Sequence, residues 1–380
     1  VYGRTTARFA SAFALSAVAL SAVAAASPAA TREPLRDALA AARHPGRALD
    51  STVRPDVSAL RSMVRRTARR YASAANEFQI SADSYGPAEV ESVAAVLRSL
   101  DHGPELAQLS VFVATPGEID EICGASVIAC YVPSEDEMVV SGVDRPVEGV
   151  PRDFAIAHEY GHHIANTRPG GALPAIEAGP VRWATYERVC QLTRRGRLFP
   201  GNQGAHYWQD PEEAFAQSYA RLNRPDARVS WQYTSLLRPT AVSLEMIHAD
   251  VVHPLTGPVE TSWRGSLLAR PDAPTPAAGV RTGALGIGAG RPVDDPSWID
   301  SRVIRTPLDG RVSVSLQATP GARLVATLRD PVGDRALAWA ATDPSGAADL
   351  TYSNCGHAAL RLEVRTASGP ADFQAAIARP

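Results

Sequence analysis

His158-Glu159-Tyr160-Gly161-His162 is the stretch of this sequence best equipped for chemistry. Histidines four residues apart in a helix share one face, so both imidazoles can reach a single metal ion. The glutamate beside them is placed to take a proton from a water on that ion. Zn2+ suits such a set, because it takes imidazole and carboxylate ligands, and a hydrolytic zinc site has three protein ligands and one open position. A third ligand must therefore come from elsewhere in the chain. His163 lies about 100° around the helix from His162, which makes it a supporting or surface residue and not a ligand.

The pattern has meaning only on a helix, and residues 150–168 read as one. Pro151 suits a first turn, Asp153 favours the positive end of the helix dipole, and Phe154, Ile156, Ala157, Tyr160 and Ile164 supply apolar surface. Arg168-Pro169-Gly170-Gly171 then ends it. Upstream, residues 109–114, 127–132 and 137–141 read as three successive strands closed by Pro or Gly signals. Glu137–Ser141 is the expected sheet edge, where an extended peptide could be held by main-chain hydrogen bonds. Earlier still, residues 57–78 show helical spacing with an arginine-rich polar side, and a second helix starts at Gly86-Pro87. Downstream, Pro180–Arg195 reads as helical with Gly196 at its end, and a glycine-rich loop, Phe199–Trp208, leads into Asp210-Pro211-Glu212-Glu213.

The third ligand belongs in that last segment. A metzincin would place a histidine at position 168 and a glycine at 165, where this chain has Arg168 and Ala165. A glutamate-supplying class remains, with Glu212 and Glu213 as candidates. The same residues also make a capping box, with Asp210 as N-cap, Pro211 in the first turn and Glu213 reaching back to the backbone, so the residues alone leave the choice open.

Glu213-Ala214-Phe215-Ala216-Gln217 resembles the third-ligand helix of gluzincin peptidases, the lethal-factor-like ones in particular, and the resemblance spans residues 105–225. It implies Glu213 as the ligand beside His158 and His162, Glu159 as general base, bound zinc, and hydrolysis of peptide bonds. Lethal-factor-like enzymes carry a tyrosine about seven residues before the third ligand that steadies the oxyanion of the tetrahedral intermediate. Here His206 holds that position with Tyr207 beside it, and either can donate the hydrogen bond.

Composition sets the frame. The 380 residues allow two domains, and 45% hydrophobic content allows a sizeable core. A net charge of -2 argues against nucleic acid as a partner. All 38 basic residues are arginines, which removes P-loop, Schiff-base and Ser-Lys chemistries. Arg4 and Arg8, the small apolar run 9–26 and Ala24-Ala25-Ala26 read as a secretory signal peptide, 1–26, followed by a linker or short pro-segment, 27–57. Four cysteines in an exported chain read as two disulfides, Cys123 with Cys130 and, by elimination, Cys190 with Cys355. Six short alternating runs after residue 310 argue for an antiparallel sandwich.

The expected architecture is thus α+β. A zincin-like catalytic domain occupies 58–255, a linker 256–297, and an all-β sandwich 298–380. The expected protein is a secreted, monomeric zinc metallopeptidase acting on a peptide or protein substrate, with no nucleic acid and no stable membrane anchor after signal cleavage. The alternatives are a secreted binding protein with a degenerate structural zinc site, and a zinc hydrolase that does not cut peptides.

Overall fold

Two short strands come first in the computed structural model, which describes residues 69–72, 77–125, 127–147, 149–167, 181–201, 204–255, 257–268 and 298–380. The expected signal peptide and the segment 27–57 lie outside these residues. Among the described residues no helix is long and apolar enough to cross a membrane. Strand β1 (Arg69–Ala72) pairs antiparallel with β2 (Gln79–Ala82), in register Tyr71 with Ile80. The helix expected over 57–78 is therefore replaced by a strand in its described part: β2, with Ile80 and Ala82 buried, pairs with the segment Arg69–Ala72, and that pairing overrides the helical periodicity that included Tyr71.

Helix α1 (Pro87–Arg98) follows, then β3 (Ser110–Ala114), α2 (Pro116–Cys123), β4 (Cys130–Val132) and β5 (Glu137–Ser141). Thr115 starts α2 with a capping box: its side chain accepts from the Glu118 amide at 3.3 Å, and Glu118 accepts from the Thr115 amide at 2.6 Å. The five strands form one sheet in the order β1-β2-β3-β5-β4, parallel through β2, β3 and β5. Alternation along β3 explains why both faces are dry. Val111 and Val113 join the main core with Met138 and Val140, while Phe112 and Ala114 join a smaller cluster with Val139, Ile119 and Ile122 beneath α2.

Glu137–Ser141 is not the edge it was expected to be. Between β4 and β5 the chain turns tightly through Pro133–Glu135, with Asp136 in the left-handed region at φ 48°, so β4 folds back antiparallel along β5 and takes the edge itself. A disulfide from Cys130 to Cys123 at the end of α2 holds it there.

Helix α3 (Arg152–Thr167) carries the histidine pair, and its residues from Phe154 to Ala165 are all buried. The expected stop at Arg168–Gly171 lies outside the described residues. The second expected helix, Pro180–Arg195, is two: α4 (Val181–Tyr186) and α5 (Val189–Arg194), broken at Arg188 with φ 57°. Helix α6 (Pro211–Asn223) follows, then α7 (Ala241–Val252). Asp250 of α7 accepts from the Trp183 amide at 3.0 Å and the Arg182 amide at 3.4 Å, so it serves the first turn of α4 as a cap supplied from another helix.

The eight remaining strands are β6 (Val259–Leu267), β7 (Ile299–Arg305), β8 (Gly310–Ala318), β9 (Arg323–Arg329), β10 (Ala336–Ala341), β11 (Ala347–Asn354), β12 (Ala359–Ser368) and β13 (Ala371–Arg379). They form two four-stranded antiparallel sheets, β10-β9-β12-β7 and β11-β8-β13-β6, around a shared core that includes Val314, Leu328, Leu362 and Phe373. The six expected runs all form strands. The segment assigned to a linker, 256–297, instead opens with β6, which pairs with β13 along its whole length. Its signal is faint because Trp263 and Leu267 are its only buried side chains, while Gly265 leaves room for the Phe373 ring, whose atoms lie 2.7 Å from where a Cβ would sit.

A disulfide, Cys190 to Cys355, joins α5 to the sandwich, and the Asp309 amide donates to Thr185 at 3.0 Å beside it.

Helices α3 and α6 approach each other very closely at Gly161. A Cβ on Gly161 would lie 2.8 Å from the Ala216 Cα and 3.3 Å from its Cβ. Gly161→Ala should therefore cost about 1–3 kcal/mol, read by denaturant or thermal unfolding. A variant as stable as the parent would mean that the two helices separate freely at this crossing.

Candidate metal centre

The crossing at Gly161 decides what α3 and α6 present to each other. One turn of α3 brings His158 and His162 onto the same side, and their Nε2 atoms stand 3.3 Å apart. From α6, Glu213 Oε2 approaches to 3.4 Å from His158 Nε2 and 3.6 Å from His162 Nε2. These three residues form a group able to hold a metal ion. Ligands at 2.0–2.1 Å around a tetrahedral ion stand about 3.4 Å from one another, so the triangle already has the size of three ligand sites around one ion. His158, Glu159 and Glu213 have no exposure and His162 has 7%.

The start of α6 explains why Glu213, and not Glu212, faces the histidines. Asp210 caps the helix by accepting from the Glu212 amide at 3.0 Å, and Pro211 occupies the first turn. The capping box weighed from the sequence does not use Glu213, whose carboxylate turns inward to the histidines. Glu212, one position away and about 100° around the helix, is partly exposed.

Electrostatics fit the geometry. Burial pushes His158 down to about 4, against the pull of Glu213, so this imidazole is neutral and its lone pair is available near neutral pH. Burial alone would raise Glu213, but the charge of His162 and hydrogen bonding from both imidazoles hold it well below the usual carboxylate range. The site thus presents an anionic oxygen. Asp210 is pushed up to about 8 by burial and by the neighbouring charges of Glu212 and Glu213.

Tyr207 and His206, adjacent in sequence, part company. Tyr207 is buried, and its hydroxyl donates to Glu213 Oε2 at 3.0 Å. His206 is exposed, stacks on Phe199 with ring centroids 3.8 Å apart, and does not belong to the metal-holding group among the described residues. A residue not anticipated from the sequence, Tyr233, donates to the same Glu213 oxygen at 2.8 Å and stacks against His158. The signal for it was Gln217, four residues after Glu213 on the same helical face. Its amide donates to the Ser230 carbonyl at 2.8 Å and its oxygen accepts from the Gln232 amide at 3.2 Å, fixing the loop that carries Tyr233.

The far side of α3 is held as firmly. His163 is fully buried, its Nε2 meets the Glu105 carbonyl oxygen at 2.8 Å, and its Nδ1 meets the Tyr131 hydroxyl of β4 at 3.1 Å. A carbonyl only accepts, so Nε2 carries the proton. Tyr160 donates to the Glu105 carboxylate at 2.9 Å. The supporting role expected for His163 is thus specific: it ties α3 to β4.

If Glu213 completes the site, Glu213→Ala should weaken metal binding by more than about 100-fold, while Glu212→Ala should bind as the parent does. Metal content of the two purified variants, measured side by side, checks this, and retention in Glu213→Ala with loss in Glu212→Ala would move the ligand by one residue. Compared with known protein families and with curated proteins, the chain matches none.

Proposed function

We propose that the protein is an exported zinc metallopeptidase with a zincin-like catalytic domain. The observation that carries this reading is the triangle of His158, His162 and Glu213, with Glu159 next to His158 on the same helix. Two imidazoles and one carboxylate with a fourth position left over is the zinc donor set of a hydrolytic site, and a closed structural site would carry a fourth protein ligand. Zinc held there supplies a Lewis acid that acidifies water and polarises a carbonyl. Glu159 takes the proton from the attacking water and returns it to the leaving amine.

The peptide class of substrate is proposed from the resemblance of the Glu213 helix to the third-ligand helix of gluzincin peptidases. Strand β4, which ends the five-stranded sheet and is tied to α3 through Tyr131 and His163, is itself buried, with Cys130, Tyr131 and Val132 at most 2% exposed, so the sheet does not offer an open edge there. Export accords with two disulfides. Tyr207 is the proposed donor to the oxyanion, since its hydroxyl lies at Glu213 while His206 is exposed and stacked on Phe199. For Tyr207 this role requires the phenol to leave Glu213 as charge develops on the substrate.

One observation favours a second reading. All three ligand side chains are buried, as they would be in a binding protein whose zinc only stiffens the fold. Glu159 separates the two. Glu159→Gln should keep the zinc content of the parent and lose about 100- to 10,000-fold in peptide hydrolysis, measured against a peptide library with ester and amide panels run beside it. A parent protein that binds zinc and cleaves nothing would favour the structural reading; cleavage confined to the ester or amide panels would make it a different zinc hydrolase.

A further inference from the structure

Both phenols near the metal triangle reach the same atom. Tyr207 donates to Glu213 Oε2 at 3.0 Å and Tyr233 to that oxygen at 2.8 Å, while their hydroxyls stand 3.3 Å from each other. That oxygen is also the one facing the two histidine nitrogens. The other carboxylate oxygen, Oε1, is buried and accepts no hydrogen bond among the described residues. We infer that Tyr207 and Tyr233 form a positioning pair that pins Glu213 Oε2 as the single carboxylate donor to the metal, an inference that rests on the metal-centre reading above.

The physical case has three parts. Two donors converging on one oxygen fix the rotation of the carboxyl group, because turning Oε1 toward the histidines would break both hydrogen bonds inside a buried site. Phenols are neutral, so they orient the carboxylate without cancelling the negative charge that draws a cation, as an arginine in the same place would. And both rings are themselves held. Tyr233 packs edge-on against Tyr207 and Trp231, with ring centroids 5.8 Å away in each case, and its neighbour Thr234 donates its amide to the Trp208 carbonyl at 2.7 Å. Gln217 anchors the intervening loop from the same helix that carries Glu213. With no substrate bound, ligand, loop and phenols are therefore held together against α6.

Phenylalanine keeps the ring packing and removes only the donor, so Tyr233→Phe, Tyr207→Phe and the double variant test the idea. Zinc affinity, measured by competition with a chelating dye, should fall about 10-fold for each single change and about 100-fold for both. Apo-protein melting temperatures should fall, because each change leaves the buried carboxylate short of one donor, so affinities are compared among variants that remain folded at the assay temperature. Cobalt(II) replacing zinc gives a signature that general loosening would not produce. The parent should show the intense visible bands of four-coordinate cobalt, and the double variant the weaker bands of a five-coordinate ion as Oε1 joins Oε2. Tyr207→Phe, at the less buried position, provides the test should Tyr233→Phe fold poorly. Parent-like zinc affinity in the folded variants, or unchanged cobalt bands in the double variant, overturns the pair as a positioning device while leaving the metal centre intact. A parent chain that takes up neither zinc nor cobalt overturns the metal-centre reading itself.

Discussion

A carboxylate with no exposure, set against two buried imidazoles, is the constraint around which this chain is built. Removing an ionised group from water costs on the order of several kcal/mol unless partners replace the lost hydration. For Glu213 the replacement is elaborate: two phenols, two imidazole edges, and a helix start at which Asp210 takes the capping duty and leaves the glutamate free to point inward. Such a cluster can be assembled only if α3 and α6 approach far more closely than ordinary side chains permit. Gly161 within the histidine motif and Ala216 opposite it supply that closeness. The glycine is thus as much a part of the site as the residues on either side of it.

The other flank of α3 shows how a short helix is kept from rotating. His163, Tyr160 and Tyr131 join it to the Glu105 turn and to β4, and Asn166 adds donors to the Tyr131 hydroxyl and to Asp136. A helix gripped by polar contacts on one flank and packed backbone-close on the other has no freedom to change the angle at which its histidines point. The two flanks differ in character. Exchangeable hydrogen bonds mount the helix to the sheet, and hard steric contact mounts it to α6.

Much of this was legible in the sequence where a short local pattern states its own physics. The histidine pair with its apolar neighbours specified α3, Asp210-Pro211 specified the start of α6, and the alternation after residue 310 specified most of the sandwich. Spacing alone could not choose between Glu212 and Glu213, because capping and ligation ask for the same residue type at the same helix turn. The residues that escaped notice are those defined by partners far away. Tyr233 lies in an irregular loop and gains its role only from α6. Strand β5 has the look of an edge until β4 doubles back beside it. Strand β6 carries two buried side chains and a glycine, too few to announce a strand without β13 alongside. The segment before β2 followed its strand partner against its own periodicity.

The division between the sandwich and the α+β region before it drawn by composition differs from the division drawn by strand pairing. Strand β6 follows directly on the α-helical region in sequence but lies in the sheet beside β13 near the far end of the chain, and the Cys190–Cys355 bond crosses the same seam. A nick anywhere between residues 190 and 355 would therefore leave one covalent molecule. A fragment cut to begin at 298 would lose a strand of its own sheet and expose the flank of β13 that β6 covers. A domain boundary built this way turns an internal cleavage into a scar and keeps it from becoming a separation.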